Sequence, residues 1–218
     1  MTNDRRTFLR QSATVATAMS VFPTLMNAGC VGANDRVIVG LIGCNNQGFV
    51  NLKNFLSQPN VECAALCDVD QNVLNQRAAE VEKMTGKKPA LFNDFRKLLE
   101  QKDINAVIIG TPDHWHCIPM IYAAEAGKDI YCEKPLGYTI EECNLMVKAA
   151  KRYKTVVQVG QWQRSDPHWL DAVKYIQSGN LGRVRSVRAW SYVGWKKSIP
   201  VVADSVAPSG VDYNMWLG

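Results

Sequence analysis

Residues 37–48 read VIVGLIGCNNQG, an apolar run (Val37–Ile42) that leads directly into a glycine-containing turn. The turn matches the outer glycines of the pattern Gly-x-Gly-x-x-Gly, in which a pyrophosphate sits on the N-terminus of the following helix. Asn45 stands where the middle glycine belongs; asparagine tolerates positive φ, but its side chain would crowd a phosphate. The turn also fits a tight strand-to-helix connection without a ligand. The candidate cofactor-binding residues here are Gly43, Asn45, Asn46, Gln47 and Gly48.

Outward from this turn, short apolar runs alternate with helical patterns as far as residue 160. The runs are apolar throughout rather than alternating, which indicates strands buried on both faces of a parallel sheet. The predicted strands are Val37–Ile42, Val61–Cys67, Ala90–Phe92, Ala106–Ile109, Asp129–Cys132 and Val156–Val159. The predicted helices lie around 49–56, 73–84, 94–99, 118–126 and 140–153, with Asn93 capping the third and Thr139 and Glu142 forming a capping box on the last. This rhythm predicts an α/β fold, a Rossmann-type doubly wound parallel sheet, over residues 34–160.

The pattern changes after residue 160. A helix is predicted over 169–177, and one long strand with alternating polarity over Val184–Val193, typical of a sheet with one exposed face. We expect residues 161–218 to form a linker helix and the first strand of an α+β substrate domain with an open, mainly antiparallel sheet.

Asp68 follows the second strand directly, where an acidic residue can accept hydrogen bonds from a ribose diol. A carboxylate at this point repels a 2′-phosphate, so the sequence predicts NAD rather than NADP. The simpler alternative is an Asp that caps a loop.

Two further motifs follow the fourth and fifth strands, at the sheet edge where open α/β sheets bind ligands. They are Thr111–His116 (TPDHWH) and Cys132–Pro135 (CEKP). A partly buried Lys134 beside a cofactor could exchange protons near neutrality. The alternative is a surface lysine that pairs with Glu133.

Taken together, the glycine turn, Asp68, the Thr-Pro-x-x-x-His stretch and Glu-Lys-Pro resemble the Gfo/Idh/MocA oxidoreductases over residues 36–218. The resemblance implies NAD as cofactor and a sugar, polyol or glycoside as substrate. It implies catalytic roles for Lys134 and His116 and substrate contacts for Lys134, Gln161 and Arg164. Further cofactor contacts are implied for Thr111, Pro112, His116, Glu133, Lys134 and Pro135.

The family's catalytic Asp and His come from a helix in a large second domain, and no later Asp-x-x-x-His occurs here. We therefore expect a C-terminally truncated chain that binds NAD without turning over sugars, and a homo-oligomer for the complete protein. His114, His116 and His168 could instead hold a metal, but the family context predicts none.

The N-terminus reads as an export signal. Residues 4–10 (DRRTFLR) precede a weakly apolar stretch and resemble a twin-arginine signal over residues 1–33, which predicts a periplasmic protein. An amphipathic helix of a cytosolic protein is the alternative. Val31-Gly32-Ala33 fits a cleavage site, and Ala28-Gly29-Cys30 faintly resembles a lipoprotein box, so a lipid anchor at Cys30 would be the only membrane contact.

Composition excludes several classes of protein. Hydrophobic residues make up 47% and charged residues 21% of the 218, ordinary values for a globular chain. The net charge of +5 includes Arg5, Arg6 and Arg10, and the basic run from Arg183 fits a solvent-exposed strand face, so no nucleic-acid partner is predicted. Seven cysteines without a Cys-x-x-Cys pair argue against zinc or a disulfide framework.

Three functions fit these observations. The leading one is hydride transfer between NAD and a carbohydrate hydroxyl. The second is redox-neutral cleavage of a glycoside with tightly held NAD, which would suit an exported enzyme without an external NAD supply. The third, favoured by Asn45 and the missing Asp and His, is a nucleotide- or sugar-binding protein without turnover.

Overall fold

The computed structural model describes residues 36–191, 194 and 197–218. Its centre is a six-stranded parallel sheet with the strand order β3-β2-β1-β4-β5-β6. This is the Rossmann order, in which the chain reverses direction across the sheet between β1 and β4. The predicted α/β class is confirmed. The strands are β1 Val37–Ile42, β2 Val61–Cys67, β3 Ala90–Phe92, β4 Ala106–Ile109, β5 Asp129–Cys132 and β6 Val157–Val159.

Helices pack on both faces of this sheet, as the all-apolar strands predicted. Their bounds are α1 Asn46–Leu56, α2 Gln71–Thr85, α3 Phe95–Leu99, α4 Cys117–Glu125, α5 Ile140–Tyr153, α6 Pro167–Gln177 and α7 Tyr213–Leu217, with short 3-10 helices at Asp113–Trp115 and Trp162–Ser165. One buried cluster joins the sheet to α3, α4 and α5, and the other joins it to α1 and α2. Burial of these apolar side chains is the main stabilising contribution to the domain.

The predicted helix cap is present at the start of α5 but not at the start of α3. Thr139 and Glu142 form the expected capping box, in which the Thr139 hydroxyl accepts from the Glu142 amide at 3.1 Å. Gly127, just past α4, adopts a left-handed φ of 70°. The predicted cap at Asn93 is wrong: Asp94 caps α3 by accepting from the Arg96 amide, because the helix begins one residue later. Asn93 instead donates to the Asp68 carbonyl oxygen.

Most cysteines lie in the core as free thiols. Cys44, Cys63, Cys67, Cys117 and Cys132 are buried, and Cys143 is partly exposed. Burial raises the pKa of the Cys63 and Cys132 thiols to about 12. Thiols that stay protonated are poor nucleophiles, so these side chains act as small hydrophobic groups.

The strand predicted at Val184–Val193 is wrong for the part that the structure describes, residues 184–191. These residues are exposed and have no regular secondary structure. The physical reason is the lack of a partner: a lone strand leaves its backbone donors and acceptors unpaired and gains no sheet stability. Further along the chain, Val211 forms an isolated antiparallel bridge with Asp70.

No helix within residues 36–191 and 197–218 is long and apolar enough to cross a bilayer. The predicted signal segment, its cleavage site and the Cys30 anchor lie outside the described residues.

Candidate NAD-binding site

The strand register brings the carboxyl ends of five strands to one level. Ile42 of β1 pairs with Cys67 of β2 and with Ile109 of β4, which pairs with Cys132 of β5. Cys132 in turn pairs with Val159 of β6. The residues that follow these strands therefore share one edge of the sheet, as the sequence motifs required.

The glycine turn packs too tightly for any side chain at its outer positions. Gly43 has φ of 85°, and a Cβ there would lie 2.5 Å from the Thr111 nitrogen. A Cβ on Gly48 would lie 2.0 Å from the Gly43 carbonyl oxygen. Glycine at both positions lets α1 begin directly against β1 and the loop after β4, which is the role of the outer glycines in a dinucleotide-binding turn.

The backbone conformation and the side-chain contact of Asn45 differ from the prediction. Its backbone is extended, with φ of −89°, and the left-handed residue is Asn46, with φ of 38°. The Asn45 side chain accepts from the Asn46 amide at 2.9 Å and so caps α1. It therefore satisfies one of the amide donors at this helix N-terminus that a phosphate would otherwise use.

Asp68 faces the turn from the end of β2. One carboxylate oxygen accepts from the Cys44 amide at 2.7 Å, and the other accepts from the Asp70 amide at 3.0 Å. These bonds fix the carboxylate and leave acceptor sites for a diol, because an ionised carboxylate has about four. Burial raises the pKa of Asp68, and the two amides oppose that effect.

A cavity of about 520 Å³ joins these groups. It is mostly apolar and falls within the usual size range of small-molecule sites, about 300–1,000 Å³. The buried Thr111 hydroxyl, on its wall, has no hydrogen-bond partner among the described residues. Three features of the cavity fit an anionic dinucleotide. The Thr111 hydroxyl is free to donate, the Asp68 carboxylate is held in place, and the first turn of α1 carries no acidic residue. The predicted residues that line it are Gly43, Asn45, Asn46, Gln47, Asp68, Thr111 and Pro112.

Glu133 and Lys134 lie at the same edge, outside this cavity. Glu133 is only 5% exposed; its carboxylate accepts from the Asn51 side chain at 2.8 Å and from the Lys134 amide at 3.0 Å. Burial and the Glu133 carboxylate raise the pKa of the neighbouring Tyr131. Glu133 therefore holds the loop that carries Lys134.

The Lys134 side chain itself is exposed. No hydrogen bond or ion pair engages its amine within the part of the chain that the structure describes. The Glu133–Lys134 ion pair considered from the sequence is therefore not formed, since the carboxylate uses the Lys134 backbone instead. The sequence predicts partial burial of Lys134, whereas the structure shows it exposed.

His116 is 1% exposed and joins two loops of the site edge. Its Nδ1 lies 2.6 Å from the Pro135 carbonyl oxygen, and its Nε2 lies 2.9 Å from the Thr111 carbonyl oxygen. Both partners are acceptors, and a neutral imidazole can donate to only one of them. With both nitrogens facing the backbone, His116 ties the loop after β4 to the loop after β5.

The remaining predicted residues do not converge on the cavity. Gln161 and Arg164 are exposed beyond β6, where the Arg164 amide donates to the Gln161 carbonyl oxygen. His168 contacts Asp166, and His114 contacts the Trp216 carbonyl oxygen. Over the described ranges, no three His, Cys, Asp or Glu side chains form a cluster that could hold a metal.

Sequence reasoning missed several residues of the site. Asn51 is buried on the inner face of α1 between Phe49 and Leu52, and an amide among apolar positions is a signal for a buried partner. Trp115 and the distant residues Pro208, Val211, Tyr213, Met215 and Trp216 also line the cavity. No local pattern indicates these last contacts, because they depend on how the chain returns to the sheet.

Comparison with known proteins agrees with this geometry. Residues 37–161 match the model of the oxidoreductase family with an NAD-binding Rossmann fold, Gfo/Idh/MocA. The chain is 38% identical over 122 residues to glycosyl hydrolase family 109 protein 1 of Shewanella sp. (strain ANA-3), and 39% to a Shewanella baltica (strain OS155) protein of the same family. Each match covers 54% of this chain and 27% of the relative, so the chain aligns with about a quarter of their length.

Solved structures show the same fold. The NAD-binding oxidoreductase from Klebsiella pneumoniae matches with 28% identity and a TM-score of 0.59, over 67% of this chain and 40% of that one. The myo-inositol 2-dehydrogenase from Lactobacillus plantarum matches with 25% identity and a TM-score of 0.62, over 68% and 43%. The Lactobacillus casei scyllo-inositol dehydrogenase with bound NAD(H) and scyllo-inositol, at 23% identity and a TM-score of 0.62, shares the fold over 67% and 42%. The chain belongs to the Gfo/Idh/MocA oxidoreductase family, and its cofactor is NAD.

Proposed function

We propose that this chain forms the cofactor-binding part of an NAD-dependent oxidoreductase that acts on a hydroxyl of a polyol or sugar. The observation that carries the proposal is the shared sheet edge, which holds both the cavity with its oriented Asp68 and the loop of Lys134, whose amine has no partner among the described residues. The two inositol dehydrogenases among the similar structures support a polyol as substrate class.

Bound NAD would be the hydride acceptor. The protein would bind and orient the cofactor and the substrate, and it would accept the hydroxyl proton. Asp68 would hold the adenosine ribose, while Thr111 and the start of α1 would face the phosphates. Lys134 would exchange the proton of the reacting hydroxyl through its free amine. Because both nitrogens of His116 are held by the backbone, we propose that it positions the loops rather than transferring a proton. Gln161 and Arg164 remain candidates for substrate contacts.

Redox-neutral glycoside cleavage is the second candidate. It is supported by 38–39% identity to glycosyl hydrolase family 109 proteins, higher than the identity to the dehydrogenase structures. A cofactor regenerated in place at each turnover would suit the periplasmic location that we propose from the twin-arginine-like start.

Product analysis separates these functions. The purified full-length protein, with any substrate domain that follows residue 218, is incubated with NAD and with inositols, free sugars and aryl glycosides, while NADH and released aglycone are followed together. NADH formed in step with a keto product supports the oxidoreductase. Aglycone released without net NADH supports the second candidate. NAD binding with neither product contradicts both and leaves a non-catalytic binding protein.

A further inference from the structure

Residues 208–217 follow the exposed residues 197–207, return to the sheet and lie against the cavity. We call them the strap. At one end, the Gln71 amide donates to the Gly210 carbonyl oxygen and the Asp212 amide donates to the Val69 carbonyl oxygen, both at 2.9 Å. The Asn72 side chain donates to the Ser209 carbonyl oxygen at 3.3 Å. The strap is thus attached to the chain that immediately follows Asp68.

At its other end the strap is attached to the loop after β4. The Trp115 indole donates to the Trp216 carbonyl oxygen at 3.1 Å, and His114 Nε2 lies 3.0 Å from the same oxygen. The Tyr213 and Trp216 rings stack with centroids 5.7 Å apart and planes inclined by 7°. Since the two attachments lie beyond β2 and beyond β4, the strap bridges the crevice between these strands.

The strap forms one wall of the cavity through Pro208, Val211, Tyr213, Met215 and Trp216. The cavity is also lined by Val69, Asp70 and Asn93, which follow β2 and β3, and by Phe95 and Trp115. β2 and β3 lie on the side of the glycine turn away from β5 and Lys134. Since Asp68 is placed for the adenosine ribose, this apolar and aromatic end of the cavity faces the base rather than the reacting end.

We propose that the strap encloses the adenosine half of NAD and sets how slowly the cofactor dissociates. The proposal rests on the use of this cavity by NAD. An adenine base prefers flat apolar surroundings, and stacking on aromatic side chains contributes to nucleotide binding without a charge. The strap is held through its own backbone at both ends, by amide–carbonyl bonds after β2 and by the Trp216 carbonyl oxygen after β4. Its aromatic side chains are therefore left to contact the cofactor.

The test uses the full chain and compares Trp216→Ala with Trp216→Phe. The matched control is Trp190→Ala, which removes an exposed tryptophan outside the cavity. NADH is preloaded and displaced by excess NAD in a stopped-flow instrument, with the fluorescence of NADH itself as the signal. Reduced nicotinamide mononucleotide, which lacks the adenosine half, is titrated in parallel.

We expect Trp216→Ala to accelerate NADH release about tenfold, within the range found when a stacking aromatic is removed. Trp216→Phe and Trp190→Ala should stay close to wild type, and affinity for the mononucleotide should not change. Equal NADH release from wild type and Trp216→Ala would overturn the proposal while leaving the cofactor assignment intact. Failure of the wild type to bind NADH would instead contradict the use of the cavity by NAD.

A chain ending at Ala207 provides a second, independent test. Removal of the strap should raise the NADH dissociation constant at least tenfold, with urea unfolding used to confirm that the sheet remains folded. Tighter binding would mean that the strap occupies the cofactor's space, which contradicts the proposal. If this shortened chain does not fold, the Trp216 pair decides alone.

Discussion

Glu133 and Lys134 are neighbours with opposite environments, and that contrast assigns their roles. The Glu133 carboxylate is buried and accepts hydrogen bonds from the Asn51 side chain and the Lys134 amide. The amine of Lys134 is exposed and has no partner among the described residues. A buried carboxylate with hydrogen-bond donors on both oxygens fixes the loop, since leaving it unpaired would be costly. An amine without a partner is available to a substrate hydroxyl.

Lys134→Met should therefore separate binding from chemistry. We expect turnover to fall by about a hundred- to ten-thousand-fold, the usual range for a general acid–base group, with NAD affinity nearly unchanged. Steady-state rates and calorimetric NAD titrations on the active protein measure the two effects.

Lys148→Met is the control, because Lys148 lies on the exposed side of α5 away from the site edge. A Lys134→Met protein that keeps a near-normal rate would remove Lys134 from the proposed chemistry.

At single residues, the sequence predicts local contacts but not contacts between distant loops. The ends of α5 and the glycine turn were predictable because their chemistry is local: a capping box spans four residues and a turn spans six. The structural role of His116 was not, since its partners are the carbonyl oxygens of Thr111 and Pro135 on two different loops. The sequence also points to Asn45 as a residue that tolerates positive φ, whereas the left-handed residue is Asn46.

At the scale of elements, strands buried on both faces were the most predictable part of the fold. Five of the six predicted strands have the predicted bounds, and the sixth begins at Val157 instead of Val156. An apolar run of this length needs cover on two faces, which a helix-flanked parallel sheet provides. The alternating run at 184–193 carried an equally clear pattern but has no neighbour to pair with over residues 184–191.

The capping box of α5 offers a stability test. Thr139→Ala removes the hydroxyl that accepts from the Glu142 amide, and should lower the free energy of unfolding by about 1 kcal/mol. The midpoint of urea unfolding measures this loss, and the slope should not change.

Thr139→Ser keeps a hydroxyl at the cap and should stay within a few tenths of a kcal/mol of wild type. Equal stability of the Ala and Ser variants would show that the cap does not contribute to the stability of the sheet domain.

At the scale of the whole molecule, the strand order places binding and chemistry on opposite sides of the β1 turn. Asp68 lies on the β2 side, the strap runs from the chain after β2 to the loop after β4, and Lys134 lies on the β5 side. A dinucleotide that spans the turn would then present its nicotinamide end towards Lys134. Export, lipid attachment at Cys30 and assembly into a homo-oligomer stay predictions, the first two because residues 1–35 lie outside the described part.

The contacts of the strap with the site could not be predicted from the sequence. Its contacts join Asp70 to Val211 and Trp115 to Trp216, pairs separated by more than 100 residues. No local periodicity or turn signal marks such contacts, because they form only when the sheet brings the ends of β2 and β4 together.

Calorimetric titration of the full chain with NAD and NADP shows whether the cavity beside Asp68 binds NAD. We predict one saturable NAD site and NADP binding at least tenfold weaker, because the Asp68 carboxylate accepts from a ribose diol and repels a 2′-phosphate. Asp68→Ala should weaken NAD binding and reduce the discrimination against NADP. Equal affinities of the wild type for NAD and NADP, or an Asp68→Ala chain that binds NAD as tightly as wild type, would mean that Asp68 does not contact the adenosine ribose of NAD.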